Sequence, residues 1–178
     1  MAWLKIKEDL SSELPMHRLL CGDVGFGKTE IAIRAVFYAF INNKKAIVLA
    51  PTTILSQQLY ACFNDRLEAF GCNIAQVSRL TKGNKEKFKN FLLGKTDVLI
   101  GTHSIIKNQE ALKKASLLVV DEEHRFGVKD KEKIIKVSPR CNFLSMSATP
   151  IPRTLQFALS GIRNISTLLT APVERRPI

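Results

Sequence analysis

Short apolar segments separated by amphipathic stretches of helix length run through this chain, at His17–Cys21, Ala46–Ala50, Ile74–Val77, Val98–Ile100, Leu117–Val120 and Phe143–Met146. Such alternation predicts βαβ units, hence an α/β fold with a mostly parallel central sheet and helices on both faces. Leu117-Leu118-Val119-Val120 shows no polar alternation, as expected of a strand covered on both sides. Between strands, Ile54–Phe70 sets Leu55, Leu59, Phe63, Leu67 and Phe70 on one helical face, which predicts a helix with that side on the sheet. Lys82–Leu93 opposes Phe88, Phe91 and Leu92 to Lys82, Lys85, Lys87 and Lys89 and stops at Gly94, a residue suited to the left-handed turn after a helix. Its lysine face is expected in solvent.

At 178 residues with 46% hydrophobic content, one globular domain is expected. No apolar stretch approaches the roughly 20 residues that cross a bilayer, since Ala32–Ile41 is broken by Arg34. Lys5, Lys7, Glu8 and Asp9 interrupt the N-terminus, which lacks the apolar core of a secretory signal. A cytoplasmic protein is the expectation. Cys21, Cys62, Cys72 and Cys141 form no C-x-x-C pair and read as reduced thiols rather than zinc ligands. The net charge of +11 suits a polyanionic partner, although the lysines are equally consistent with a solvated surface.

Gly22-Asp23-Val24-Gly25-Phe26-Gly27-Lys28-Thr29 fits G-x-x-x-x-G-K-[ST] between a predicted strand and a helix predicted over Thr29–Phe40. Glycines at these positions turn backbone N–H groups toward a phosphate, and the helix N-terminus adds partial positive charge. Lys28 would reach the β and γ phosphates of ATP, and the Thr29 hydroxyl would bind Mg2+. A second metal ligand is expected at Asp121, where the apolar strand 117–120 ends. Glu122 follows as the acceptor for the attacking water.

Asp121-Glu122-Glu123-His124 is a DExH box, and Ser147-Ala148-Thr149 matches the third helicase motif. Pro51-Thr52-Thr53 resembles motif Ia and Gly101-Thr102-His103 resembles motif Ib. Together they resemble the superfamily 2 helicases. The stretches Asp121–Val128 and Thr149–Thr154 resemble the group shared by RecG and the bacterial transcription-repair coupling factors. Phe26, Thr53 and Glu123 favour the coupling factors over RecG. The resemblance implies a RecA-like P-loop domain, the first motor lobe of an ATP hydrolase that translocates on double-stranded DNA. It implies Thr52, Thr53, Thr102 and His103 as DNA-backbone contacts, and Ser147, Thr149 and Arg153 as couplers between nucleotide and DNA. His124 would relay between the carboxylates and Ser147. RNA polymerase and nucleotide excision repair proteins are implied as partners through other domains.

The family's adenine-contacting Gln has no counterpart in residues 1–21, and no arginine-finger motif of a second RecA-like lobe follows Thr149. Residues 1–170 are therefore expected to be an N-terminally truncated ATP-binding lobe, and 171–178 the start of a connection to a second lobe in cis. Such a chain is expected to hydrolyse ATP negligibly by itself. Two rivals are a binding module without ATPase activity and a transport ATPase, the latter suggested by Leu159-Ser160-Gly161. That signature should precede the acidic strand, and here it follows Asp121.

Overall fold

The computed structural model describes residues 2–23, 25–122, 125–148 and 164–168. Strands β1 (His17–Cys21), β2 (Ala46–Leu49), β3 (Ile74–Val77), β4 (Val98–Gly101), β5 (Leu117–Val120), β6 (Asn142–Ser147) and β7 (Asn164–Thr167) form one sheet in the order β3-β4-β2-β5-β6-β1-β7. Every neighbouring pair is parallel. Parallel neighbours need crossover connections, which carry helices α2 (Lys28–Ile41), α3 (Thr53–Leu67), α4 (Asn84–Leu92), α5 (Gln109–Lys114) and α6 (Val128–Val137).

Strands β2, β4 and β5 are apolar at every position because each face has its own core. Val48, Ile100, Val119 and Leu144 pack with Val36 of α2 and Phe63 of α3. Ile47, Leu49, Leu99, Leu118 and Val120 point the other way, to Phe91 of α4, Leu112 of α5 and Ile134 of α6. Each such fully buried side chain contributes about 1.5–3 kcal/mol. The Thr52 hydroxyl oxygen accepts from the Leu55 N–H at 3.2 Å and caps α3, which is worth about 1 kcal/mol.

The six predicted strands and the three predicted helices are present, with boundary shifts. Phe70 departs from its predicted buried face. The chain tightens into a 3-10 turn at Glu68–Phe70 closed by left-handed Gly71, so Phe70 is 61% exposed and rests against the Phe37 ring at 4.9 Å. The lysine face of α4 is only partly solvated, since Lys87 Nζ donates to the Gln76 carbonyl at 2.9 Å. Helix α1 (Ala2–Ser11) was not anticipated. It buries Ile6 and Leu10 with the α2 side of the core and sets Trp3 edge-on to Tyr38. Asp9 of this helix meets Arg18 of β1 at 2.6 Å, and Arg18 also donates to Ser166 of β7 at 2.6 Å. A buried cation in a central strand thereby has its partners at both ends.

Cys21, Cys72 and Cys141 are buried and Cys62 is exposed. Burial pushes the Cys72 and Cys141 thiols up to about 12, so both behave as small apolar side chains. No helix among the described residues is long and apolar enough to cross a membrane.

At the end of β4 a side chain would collide with the sheet. A Cβ on Gly101 would lie 1.9 Å from the Val77 carbonyl oxygen. Gly101→Ala is expected to destabilise the fold by about 1–3 kcal/mol, as overpacking does, and to lower the urea midpoint. An unchanged midpoint would show that β3 yields without cost.

Candidate active site

All the sequence motifs within the described residues fall at one edge of the sheet, because parallel strands end together. Registers pair Cys21 with Ser147, Leu49 with Val120 and Gly101, and Val77 with Gly101. The segment after each strand thus starts beside the segment after its neighbour.

After β1 the chain enters the glycine loop. Gly25 and Gly27 have φ of 81° and 80°, backbone that other residues rarely adopt. Gly27 precedes α2 without a side-chain cap, so the first-turn N–H groups are offered to an anion rather than to the protein's own side chain. Gly22 packs closely on the far side, where a Cβ would stand 2.9 Å from Leu168 Cβ. Lys28 Nζ donates to the carbonyls of Gly22 at 2.5 Å and Asp23 at 2.9 Å, which folds its ammonium over the loop. Thr29 is half-buried in the first turn of α2. Val24 lies outside the described residues.

Asp121 follows β5, and its N–H donates to the Leu49 carbonyl at 2.9 Å. Its carboxyl is raised above the usual range, by burial first and by the neighbouring Glu122 charge second. The Glu122 backbone N–H, 3.0 Å from Asp121 Oδ1, and the Lys28 ammonium act in the opposite sense. A half-buried carboxylate crowded by a second acid favours a cation beside it, and the oxygen donors of Asp121 and Thr29 are of the kind that would suit a divalent metal bound with phosphate. Glu122 has φ of 48°, a left-handed conformation uncommon for a non-glycine residue and typical of functional turns. Glu123 and His124 lie outside the described residues.

Strand β6 lies between β1 and β5 and brings Ser147 between the two motifs. The Ser147 carbonyl accepts from Gly22 N–H at 3.2 Å, which ties the third motif to the phosphate loop. Thr149 and Arg153 lie outside the described residues, as do Leu159-Ser160-Gly161 and residues 171–178.

A separate groove of about 330 Å³ opens at the ends of β2, β3 and β4. Pro51, Thr52 and Thr53 line it, with Thr102, His103 and Ser104 from the segment after β4. The four candidate contacts of motifs Ia and Ib, Thr52, Thr53, Thr102 and His103, therefore come together, apart from the phosphate loop by the width of β5 and β6. Arg79 and Lys107 complete the lining, both exposed and neither with a carboxylate partner among the described residues. These cations went unnoticed in the sequence because each stands alone. Arg79 comes just after a strand, as every motif does, and that position is the signal that could have found it. His103 is also tied to the protein: its Nε2 is 2.8 Å from Asp130 Oδ2, and its ring stacks on Phe126 at 4.7 Å and 11°.

Residues 6–158 match the DEAD/DEAH box helicase family. The chain belongs to that family. It is 49% identical over 97% of its length to the transcription-repair-coupling factor of Helicobacter pylori, 45% over 96% to that of Escherichia coli and 44% over 98% to that of Bacillus subtilis. It spans 15–17% of the length of those three relatives. Among solved structures, RecG bound to a three-way DNA junction matches with a TM-score of 0.83 and 32% identity, covering 99% of this chain and 24% of RecG. The UvsW helicase of bacteriophage T4, at a TM-score of 0.67 and 21% identity over 91% of this chain and 58% of its own, shares the fold. A RecA-like helicase fold and a close likeness to coupling factors, both expected from the motifs, are thus shown.

The raised carboxyl of Asp121 has a consequence for stability. A folded-state pKa above the unfolded one favours folding while the group is protonated, and that gain disappears as pH rises through the folded value. Ionised Asp121 is therefore a cost at pH 7. Asp121→Asn is expected to raise Tm at pH 7, with the gain shrinking as pH falls toward the ordinary carboxylate range. A lower Tm would mean that Asp121 supports the fold through its ionised form.

Proposed function

We propose that this chain is the nucleotide-binding lobe of an ATP-driven motor on double-stranded DNA, working in the manner of a transcription-repair coupling factor. The observation that carries the reading is the division of one sheet edge. The phosphate loop and Asp121-Glu122 follow β1 and β5, and a groove with two exposed cations follows β2, β3 and β4. Identity of 44–49% to coupling factors, against 32% to RecG, favours the former over a branch-migrating helicase.

In this reading the loop N–H groups and the α2 N-terminus bind the ATP phosphates, and the Lys28 ammonium exchanges the Gly22 and Asp23 carbonyls for phosphate oxygens. Thr29 and Asp121 would hold Mg2+, which supplies charge neutralisation at the β and γ phosphates when bound. Glu122 orients the attacking water and accepts its proton. His124 relays to Ser147, and Thr149 and Arg153 couple to DNA. Thr52, Thr53, Thr102 and His103 meet the DNA backbone, joined by Arg79 and Lys107. The Thr52 oxygen is an acceptor in the α3 cap, and its hydroxyl proton can still be donated to a phosphate. A second RecA-like lobe in cis supplies arginine fingers. Displacement of stalled RNA polymerase and recruitment of excision-repair proteins belong to the whole protein.

Phosphate release with saturating duplex DNA tests the scheme. The protein containing both lobes is expected to turn over roughly 10³- to 10⁵-fold faster than this chain alone, the usual worth of an arginine finger. In that protein Glu122→Gln should lower turnover by about 10²- to 10⁴-fold. Equal turnover by the single lobe would show a complete site within it.

The groove is tested by salt. Arg79→Ala and Lys107→Ala should each reduce the slope of log K for duplex DNA against log salt by about 0.9, one phosphate contact apiece. Unchanged slopes would leave both cations as solubilising surface.

A further inference from the structure

The stack of His103 on Phe126 joins the two halves of the sheet edge, and this inference rests on the reading of the groove as a DNA site. His103 belongs to the groove with Thr52, Thr53 and Thr102, and its side chain is 42% exposed. Its partners belong to the segment that follows the DExH box. Asp130 Oδ2 lies 2.8 Å from His103 Nε2, and the Phe126 ring lies parallel to the imidazole at 4.7 Å. A carboxylate only accepts, so the tautomer that satisfies this pair carries its proton on Nε2. The imidazole is thereby fixed in plane and in tilt by two contacts from one segment.

That segment is anchored to the catalytic turn at its other end. Phe126 is 4% exposed and packs in one cluster with Leu118 and Val120, the strand that delivers Asp121. Ile105 and Ile106, which follow His103, are buried in the same cluster. The Arg125 N–H donates to the Glu122 carbonyl at 2.9 Å, and Glu122 is the non-glycine residue at φ 48°. From groove to catalytic acid the path is therefore continuous: His103, then Phe126 and Asp130, then Arg125 and Glu122.

We propose that His103, clamped between Phe126 and Asp130, is a positioning residue through which duplex DNA in the groove sets the backbone of Glu122 and so raises the rate of ATP hydrolysis. A phosphate or sugar that displaces the half-exposed imidazole moves the aromatic ring stacked on it. Because Phe126 is packed on β5, that displacement bears on the turn at Glu122 rather than being lost in solvent. The role is distinct from affinity: the clamp changes what bound DNA does, not how tightly it is held.

Asp130 touches neither nucleotide nor groove in this scheme, so its variants isolate the clamp. In the full-length protein carrying this chain, phosphate release is measured without DNA and at saturating duplex DNA, and DNA affinity is measured by fluorescence anisotropy. Asp130→Ala is expected to leave the DNA-free rate and the DNA affinity near parental values. Its DNA-stimulated kcat should fall about tenfold, within the range of site-to-site couplings. Asp130→Asn keeps an acceptor oxygen in place and should recover most of the stimulated rate. The double variant with His103→Ala should be no worse than the poorer single variant, since both act on one contact. Stimulation intact in Asp130→Ala would overturn the proposal, as would a loss confined to DNA affinity, additive effects in the double variant, or an Asn variant no better than Ala. A parental protein without DNA-stimulated hydrolysis would overturn the motor reading as well, which separates the two failures.

Discussion

The backbone ladder of the sheet continues one bond beyond the strands, and the sites depend on that extension. Gly22 donates to the last carbonyl of β6, Ala50 to that of β4, Asp121 to that of β2 and Leu168 to that of β1, at 2.7–3.2 Å. Each bond seats the first residue after a strand against a neighbouring strand before the chain turns away. Parallel pairing supplies a direction that antiparallel pairing lacks, since all the strands end on one side and all their loops open there. The glycines follow from the same constraint. Gly101 lets β4 close on β3 at its last bond, and Gly22 lets the phosphate loop pass beneath Leu168.

Charge is distributed so that the sheet edge carrying Asp121 and Glu122 costs stability. Asp121 is half-buried beside a second acid and held up in pKa, a local cost that the fold bears because the core on both faces of β5 is well packed. Elsewhere buried charge is satisfied by its own partners, as Arg18 is by Asp9 and Ser166. The excess positive charge of +11 is not a single patch. Lys87 holds the Gln76 carbonyl and Lys45 holds Thr96 and Asp97, while Arg79 and Lys107 face the groove unpaired with acids among the described residues.

The central strands were legible because full burial leaves an uninterrupted apolar run, as in Leu117–Val120. The phosphate loop was legible because its glycines serve backbone geometry that other residues resist. Helix α1 was legible too, although it was not anticipated: Trp3, Ile6 and Leu10 recur at i, i+3 and i+7 and pack on the α2 side of the core. Strand β7, Asn-Ile-Ser-Thr, has no apolar run, since among the described residues it pairs with β1 alone at the end of the sheet order. Phe70 misled for a related reason: helical periodicity extrapolates through a tightening turn that changes the angle per residue.

The sequence by itself determined the fold class, the phosphate loop, the acidic turn after β5 and the family, because each is written in contiguous residues with a local physical requirement. Tertiary structure alone decided that Thr52, Thr53, Thr102 and His103 share one groove, that Arg79 and Lys107 join them, and that His103 is held by Phe126 and Asp130. Strand order is the reason. β2 lies between β4 and β5, so neighbours at the sheet edge are set by which strands pair, and pairing is a property of the whole core rather than of any segment.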